Sequence, residues 1–184
     1  MAIYFDMDDT MAGFTAGLAA IGAPHEDALT GGTRRDDEMW DAIRRTPHFY
    51  RNLPEIPAGA GLFRLMAASG LAPEVLTAVP KPKRMVDGAA EDKIAWNLEH
   101  LGEGTVTHIC YRADKIKRCH GPDDILIDDH AGNIGEWREA GGTGILFREG
   151  SPIELPPRIV MALKVGGREP ALRGAIGYPA RPSF

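Results

Sequence analysis

The sequence predicts an α/β fold: a doubly wound, Rossmann-like parallel sheet with a small helical cap inserted after its first strand. Two observations carry this. Five short runs rich in Ile, Val, Leu and Phe recur along the chain, at residues 2–5 (AIYF), 74–79 (EVLTAV), 107–111 (THICY), 124–127 (DILI) and 143–147 (TGILF). They are mostly apolar rather than alternating, as strands covered on both faces must be. Helical patterns lie between them, and strand–helix alternation implies right-handed crossovers within one parallel sheet.

Taken in order, the first strand is followed by a break in the alternation. Residues 12–57 hold two helical-looking segments, 14–21 and 36–45, and no convincing strand, so they read as the cap. Residues 58–69 (AGAGLFRLMAAS) form a helix closed by Gly70, a residue suited to a C-cap. Residues 89–101 (AAEDKIAWNLEHL) form another, with Ile94, Leu98 and Leu101 on one face and Gly102 at its end. A third covers 133–140 (NIGEWREA) and stops at Gly141 and Gly142. The tail, 150–184, is rich in Gly, Pro and Arg with one apolar run at 159–165, and reads as a packed-down extension. The expected division is a core of residues 1–11 and 58–149, a cap of 12–57 and an extension of 150–184, without internal repeats.

Composition narrows the function classes. With 184 residues, 43% of them hydrophobic, the chain suits one domain with an ordinary packed core. A net charge of −5 argues against a nucleic-acid polymer as partner, whereas a small anion needs only a local positive site. Cys110 and Cys119 give neither a disulfide framework nor metal-ligand spacing, and read as reduced thiols of a cytoplasmic protein. Charge appears by Asp6, before any secretory apolar stretch, and no run approaches the roughly 20 apolar residues of a membrane span. No membrane partner is expected, and a homodimer stays open.

In a parallel α/β sheet, ligands bind outside the carboxyl ends of the strands, so the residues there spell out the site. The first strand ends at Asp6, with Asp8 two residues on, inside the run DMDDT. The second carries Thr77 near its end, Arg112-Ala113-Asp114-Lys115 follows the third, and the fourth closes on Asp128-Asp129. A single Asp after a strand is usually a turn residue or cap; four carboxylates, a hydroxyl and an ammonium converging from distant segments are not. Oxygen ligands at this density suit a hard cation that keeps some of its waters, and Mg²⁺ is the natural choice. A calcium loop starting at Asp6 would need a bidentate Glu at its twelfth position, where Gly17 stands.

These residues resemble the four motifs of the haloacid dehalogenase superfamily of phosphotransferases: DxDxT at 6–10, Thr77 after the second strand, a lysine after the third, and the Asp pair closing the fourth. The resemblance covers roughly residues 2–147. A narrower one follows. Asp6-Met7-Asp8, Phe14, FYRNLPEIPAGA (49–60), EDKIAWNLEHLG (91–102), RADK (112–115) and LIDD (126–129), followed by Trp137, are similar to the 5′(3′)-deoxyribonucleotidases.

The resemblance implies a Mg²⁺-dependent phosphomonoesterase acting on nucleoside 5′-monophosphates, deoxyribonucleotides such as dUMP and dTMP foremost. Asp6 would be the nucleophile that forms an aspartyl-phosphate, and Asp8 the acid, then base, that serves the leaving alkoxide and water. Thr77 and the backbone of Ala78 would hold phosphoryl oxygens; Lys115 would neutralise them, with Lys117 and Arg118 as rivals, and Lys93 could also reach the phosphate. Asp6, Asp8, Asp128 and Asp129 would hold the metal, the division of labour within the last pair being open. Phe14 would stack a nucleobase and Trp40 could form the opposite wall. Asp123-Asp124, ahead of the fourth strand, reads as a turn. The cap looks shorter than in the animal enzymes, which leaves the preferred base and sugar open, and Asp9 stands where these nucleotidases usually carry Gly. Rival readings are a phosphatase of the same fold acting on another small metabolite, and a non-catalytic binding protein on this scaffold.

Overall fold

The structure, a computed structural model, describes residues 1–24 and 33–165. Five strands, β1 (Ile3–Phe5), β2 (Glu74–Ala78), β3 (Thr107–Cys110), β4 (Ile125–Asp128) and β5 (Thr143–Leu146), form one sheet in the order β3-β2-β1-β4-β5. Every pairing is parallel. The expected α/β class and the five expected strands are present within one residue at each end.

Alternate residues of each strand face opposite sides, as the pleat requires. Ile3, Phe5, Val75, Ile125 and Ile127 point into one apolar cluster, and Tyr4, Leu76 and Leu126 into another. The larger cluster is roofed by α3 (Pro57–Ala68), α4 (Ala89–Leu101) and α6 (Pro157–Val165). The smaller lies under α5 (Ala131–Glu139), where Tyr4 meets Trp137 edge to face at 5.8 Å. Each fully buried Leu, Ile or Phe contributes about 1.5–3 kcal/mol, so both faces of the sheet are held by burial.

The cap helices α1 (Phe14–Ala20) and α2 (Thr33–Arg45) share the larger cluster through Leu18, Met39 and Ile43, so cap and core have a common interior. The chain leaves and re-enters the core side by side. Gly13 N–H donates to the Pro54 carbonyl and Ile56 N–H to the Met11 carbonyl, at 2.8 and 2.7 Å. Residues 150–165 of the expected extension pack onto the core through Ile153, Ile159 and Leu163. Residues 25–32 of the cap and 166–184 of the extension lie outside the described residues. Among the described residues no helix is long and apolar enough to cross a membrane.

Helix α4 occupies the expected span but presents a different face. Ile94 and Leu98, grouped with Leu101 in the sequence pattern, are 39% and 41% exposed, while Lys93, Trp96 and Asn97 are buried. The polar stripe goes inward because each member finds a partner there. Lys93 reaches Asp8 and Thr77, Asn97 donates to the Thr107 hydroxyl, and Trp96 Nε1–H donates to the Leu53 carbonyl.

Candidate active site

The strand order reverses on either side of β1, which opens a crevice at the carboxyl ends of β1 and β4. Asp6 stands there, its N–H still bonded to the Ile127 carbonyl at 2.8 Å. The chain then turns tightly over the Met7 carbonyl, which accepts from the N–H groups of Thr10, Met11 and Ala12. The first turn of α3 presses against this loop: a Cβ on Gly59 would lie 1.8 Å from the Thr10 carbonyl oxygen, so only glycine fits.

Asp9, the departure noted in the sequence, is explained by this turn. Its φ is +48°, a left-handed value that Gly adopts freely and Asp tolerates. The carboxylate accepts from the Thr15 N–H at 2.8 Å and from its hydroxyl at 2.5 Å. Asp9 thus meets the backbone requirement and satisfies an N–H in the first turn of α1, whose Gly13 N-cap has no side chain to do so.

Two buried lysines organise the carboxylates. Lys115, on the 3-10 helix Arg112–Arg118, bonds Asp6 Oδ1 at 2.8 Å and Asp128 Oδ2 at 2.7 Å. Burial acts to lower its pKa, but Asp6 and Asp128 outweigh that and hold the ammonium above its ordinary value. The rivals Lys117 and Arg118 are exposed, and Lys117 pairs with Asp114. Lys93, fully buried on α4, donates to Asp8 Oδ2 at 2.6 Å and to Thr77 Oγ1 at 3.0 Å. The Tyr50 ring lies 4.7 Å from the same ammonium.

The two aspartates after β4 differ. Asp128 is engaged on both oxygens: Oδ1 accepts from the His130 N–H, and Oδ2 from Lys115 and from Asn133 Nδ2 at 2.9 Å. Among the described residues, the Asp129 carboxylate has only the Thr10 hydroxyl, 3.5 Å from its Oδ1. Burial first, then Asp6, Asp128 and Asp9, pushes its carboxyl up to about 8. Asp6 is likewise pushed up to about 7, by burial and then by Asp128 and Asp8, against the opposing pull of Lys115.

A hard divalent cation fits this donor set. Oxygens of Asp6, Asp128 and Asp129 lie within 4.8 Å of one another. Four carboxylates (Asp6, Asp8, Asp128, Asp129) face two ammoniums (Lys93, Lys115), a deficit of two positive charges. Asp8 Oδ1 and Asn133 Oδ1, both beside the site, are buried without a hydrogen-bond partner, as acceptors awaiting a hydrated ion or a ligand would be. Asp8 itself, expected among the metal's carboxylate ligands, stands apart from the three-oxygen cluster because Lys93 draws its side chain away.

The carboxylates floor a cavity of about 1030 Å³. Ala78 borders it, whereas Thr77 sits fully buried behind Lys93. Phe14 and Trp40 both line the wall, Phe14 with only 9% of its surface exposed. One face of Phe14 is stacked on Tyr50 at 6.1 Å, and Arg84 lies 5.4 Å over the Trp40 ring. Asp124 is remote from this cavity and ties down the chain's start, accepting from the N–H groups of Ala2 and His120.

Sequence reading missed Asn133, which orients Asp128 from one turn into α5, and Tyr50, which underlies Lys93. Asn133 carries a weak signal, as a polar residue in the first turn of the helix after the Asp pair; Tyr50 lies in the run 49–60 that carries the resemblance, but its approach to Lys93 arises only through the tertiary fold. Comparison with family models, with curated proteins and with solved structures returns no match, so the chemistry of the site rests on its geometry.

Proposed function

We propose that this chain is a Mg²⁺-dependent phosphomonoesterase of the haloacid dehalogenase type, with nucleoside 5′-monophosphates, deoxyribonucleotides among them, as its substrate class. The observation that carries the reading is the pairing of Asp6 with Lys115 and of Asp8 with Lys93, two residues apart on the floor of a large cavity. One carboxylate is thereby free to act as nucleophile and the other as proton carrier. Phe14 and Trp40 on the wall favour a substrate with a planar base over a bare sugar.

In this reading Asp6 Oδ1 is held by Lys115 and the Met7 N–H, which leaves Oδ2 to attack phosphorus. The bond to the ester oxygen breaks as the Asp6–phosphorus bond forms, and Asp8 gives its proton to the departing alkoxide. Water then attacks phosphorus, Asp8 takes a proton from it, and the Asp6 carboxylate is released with inorganic phosphate. Asp8 Oδ2 is fixed by Lys93, so Oδ1, the orphan oxygen, is the one that exchanges the proton. Lys115 faces the phosphoryl oxygens while Asp128 and Asn133 keep it in place. Asp6 and Asp129 would hold the metal, with Asp128 behind them. When bound, Mg²⁺ supplies charge neutralisation at the phosphoryl oxygens and lets Asp6 approach them.

The test is a Mg²⁺-dependent phosphate-release screen over deoxy- and ribonucleoside 5′- and 3′-monophosphates and sugar phosphates. Turnover of dUMP or dTMP well above that of sugar phosphates, abolished in Asp6→Asn, supports the reading. Equal turnover of sugar phosphates sinks the nucleotide assignment, and no turnover of any ester sinks the enzyme.

A further inference from the structure

The cavity is much larger than a phosphoryl group, and its outer wall carries cations that the chemistry at Asp6 does not use. Lys93 and Lys115 are committed to the floor. Arg84 is committed to the cap, through Asp36 and Asp37 of α2 and the Trp40 ring. Four cations remain on the wall: Lys81, Lys83, Arg112 and Arg148. They come from three separate segments, after β2, after β3 and after β5. None has a carboxylate partner among the described residues.

Two of them are nevertheless held in place, by groups that leave their charge unmatched. Arg112 Nη1 lies 3.1 Å from His130 Nε2. Arg148 donates to the carbonyls of Phe147 and Asp129. Against the four cations the wall sets two carboxylates, Asp9, which accepts from the neutral Thr15, and Glu149, so positive charge exceeds negative by two. In a chain with 26 acidic and 21 basic residues, that local excess runs against the overall balance.

All four side chains are exposed, so water screens them from one another; an anion brought against several at once is attracted, whereas a neutral nucleoside or sugar leaves them unused. We propose that the ester cleaved at Asp6 belongs to a molecule with a second anionic group, a further phosphate or a carboxylate, seated against Lys81, Lys83, Arg112 and Arg148. The inference rests on the phosphomonoesterase reading and narrows it: among nucleotides it selects a nucleoside 3′,5′-bisphosphate over the monophosphate.

Paired substrates that differ only in the second anion test this. Deoxyuridine 3′,5′-bisphosphate is set against dUMP, and 3-phosphoglycerate against glycerol 3-phosphate, so the phosphate and carboxylate arms are separate. Turnover is read with Mg²⁺, and binding to the Asp6→Asn protein with Mg²⁺ is read by calorimetry. The expected result is a preference of about tenfold or more for the doubly anionic member of at least one pair, residing in KM and in binding. The double variant Lys81→Ala/Lys83→Ala and the single variant Arg112→Ala should each move that ratio toward one. Equal handling within both pairs overturns the proposal while leaving phosphatase activity standing, as does a preference that survives both variants. A binding preference without turnover of any ester keeps the anion site and overturns the phosphatase reading. Absence of binding by all four ligands overturns the site.

Discussion

Two clusters of charge, built from the same kinds of side chain, have opposite electrostatic outcomes. At the strand ends, four carboxylates share two ammoniums, and Asp6 and Asp129 are pushed up to about 7 and about 8. Where the cap rejoins the core, Glu55 receives both Nη atoms of Arg64 at 2.9 Å and His100 Nδ1 at 3.2 Å. Its carboxyl is held below the usual range, mainly by the Arg64 hydrogen bonds. The second cluster is balanced and pins the returning chain to α3 and α4. The first is unbalanced, and a cation with an anionic substrate would complete it. Charge imbalance separates the candidate site from a structural clamp more clearly than residue type does.

The contrast is broken most severely at Lys115. Lys115→Met removes the cation between Asp6 and Asp128 and leaves buried carboxylates uncompensated. Loss of about 3–5 kcal/mol is expected by denaturant unfolding, together with loss of activity. A variant as stable as wild type would show that the cluster does not depend on this lysine.

The next effect lies in pH. Asp6 and Asp129 bind protons more tightly folded than unfolded, because their folded pKa values lie above the ordinary 3.8. Their contribution to stability is therefore full below about pH 4 and is lost as pH rises through about 7 and 8. In chelator, Tm should fall between about pH 4 and 8, and saturating Mg²⁺ should flatten that fall by occupying the ionised site. A metal-free Tm that climbs over the same interval would contradict the charge imbalance.

Asp9 gives a smaller effect. Asp9→Ala keeps the left-handed backbone without its compensation and removes the bonds to Thr15, for an expected cost of about 1–2 kcal/mol. Asp9→Gly, which relieves the backbone, should cost less than Asp9→Ala; the reverse order would mean that the left-handed turn does not select this residue. Smallest is the clamp: the Arg64 side chain is 43% exposed, so Arg64→Ala should cost under about 1 kcal/mol in thermal unfolding and leave KM unchanged.

What was legible in the sequence follows the reach of each interaction. Strand runs and the residues ending them are local patterns, so Asp6, Asp8, Asp128, Asp129 and Lys115 could be placed at one end of a sheet before any coordinates. Helix α4 could be delimited but not oriented, because Lys93 and Asn97 turn inward toward partners 85 and 10 residues away. The Glu55–Arg64–His100 clamp and the cations of the cavity wall join segments that only the tertiary fold brings together. Asp9 was anomalous as a letter and became intelligible once its φ was known.

The central claim, that Asp6 is a nucleophile rather than a metal ligand alone, is tested most directly by acid-quenching the Mg²⁺-loaded protein during turnover of a phosphomonoester and mapping the peptides by mass. The account predicts a mass gain of one phosphoryl group on the peptide carrying Asp6, absent in Asp6→Asn and removed by hydroxylamine. Sustained phosphate release with no phosphoryl adduct, or release undiminished in Asp6→Asn, would contradict it.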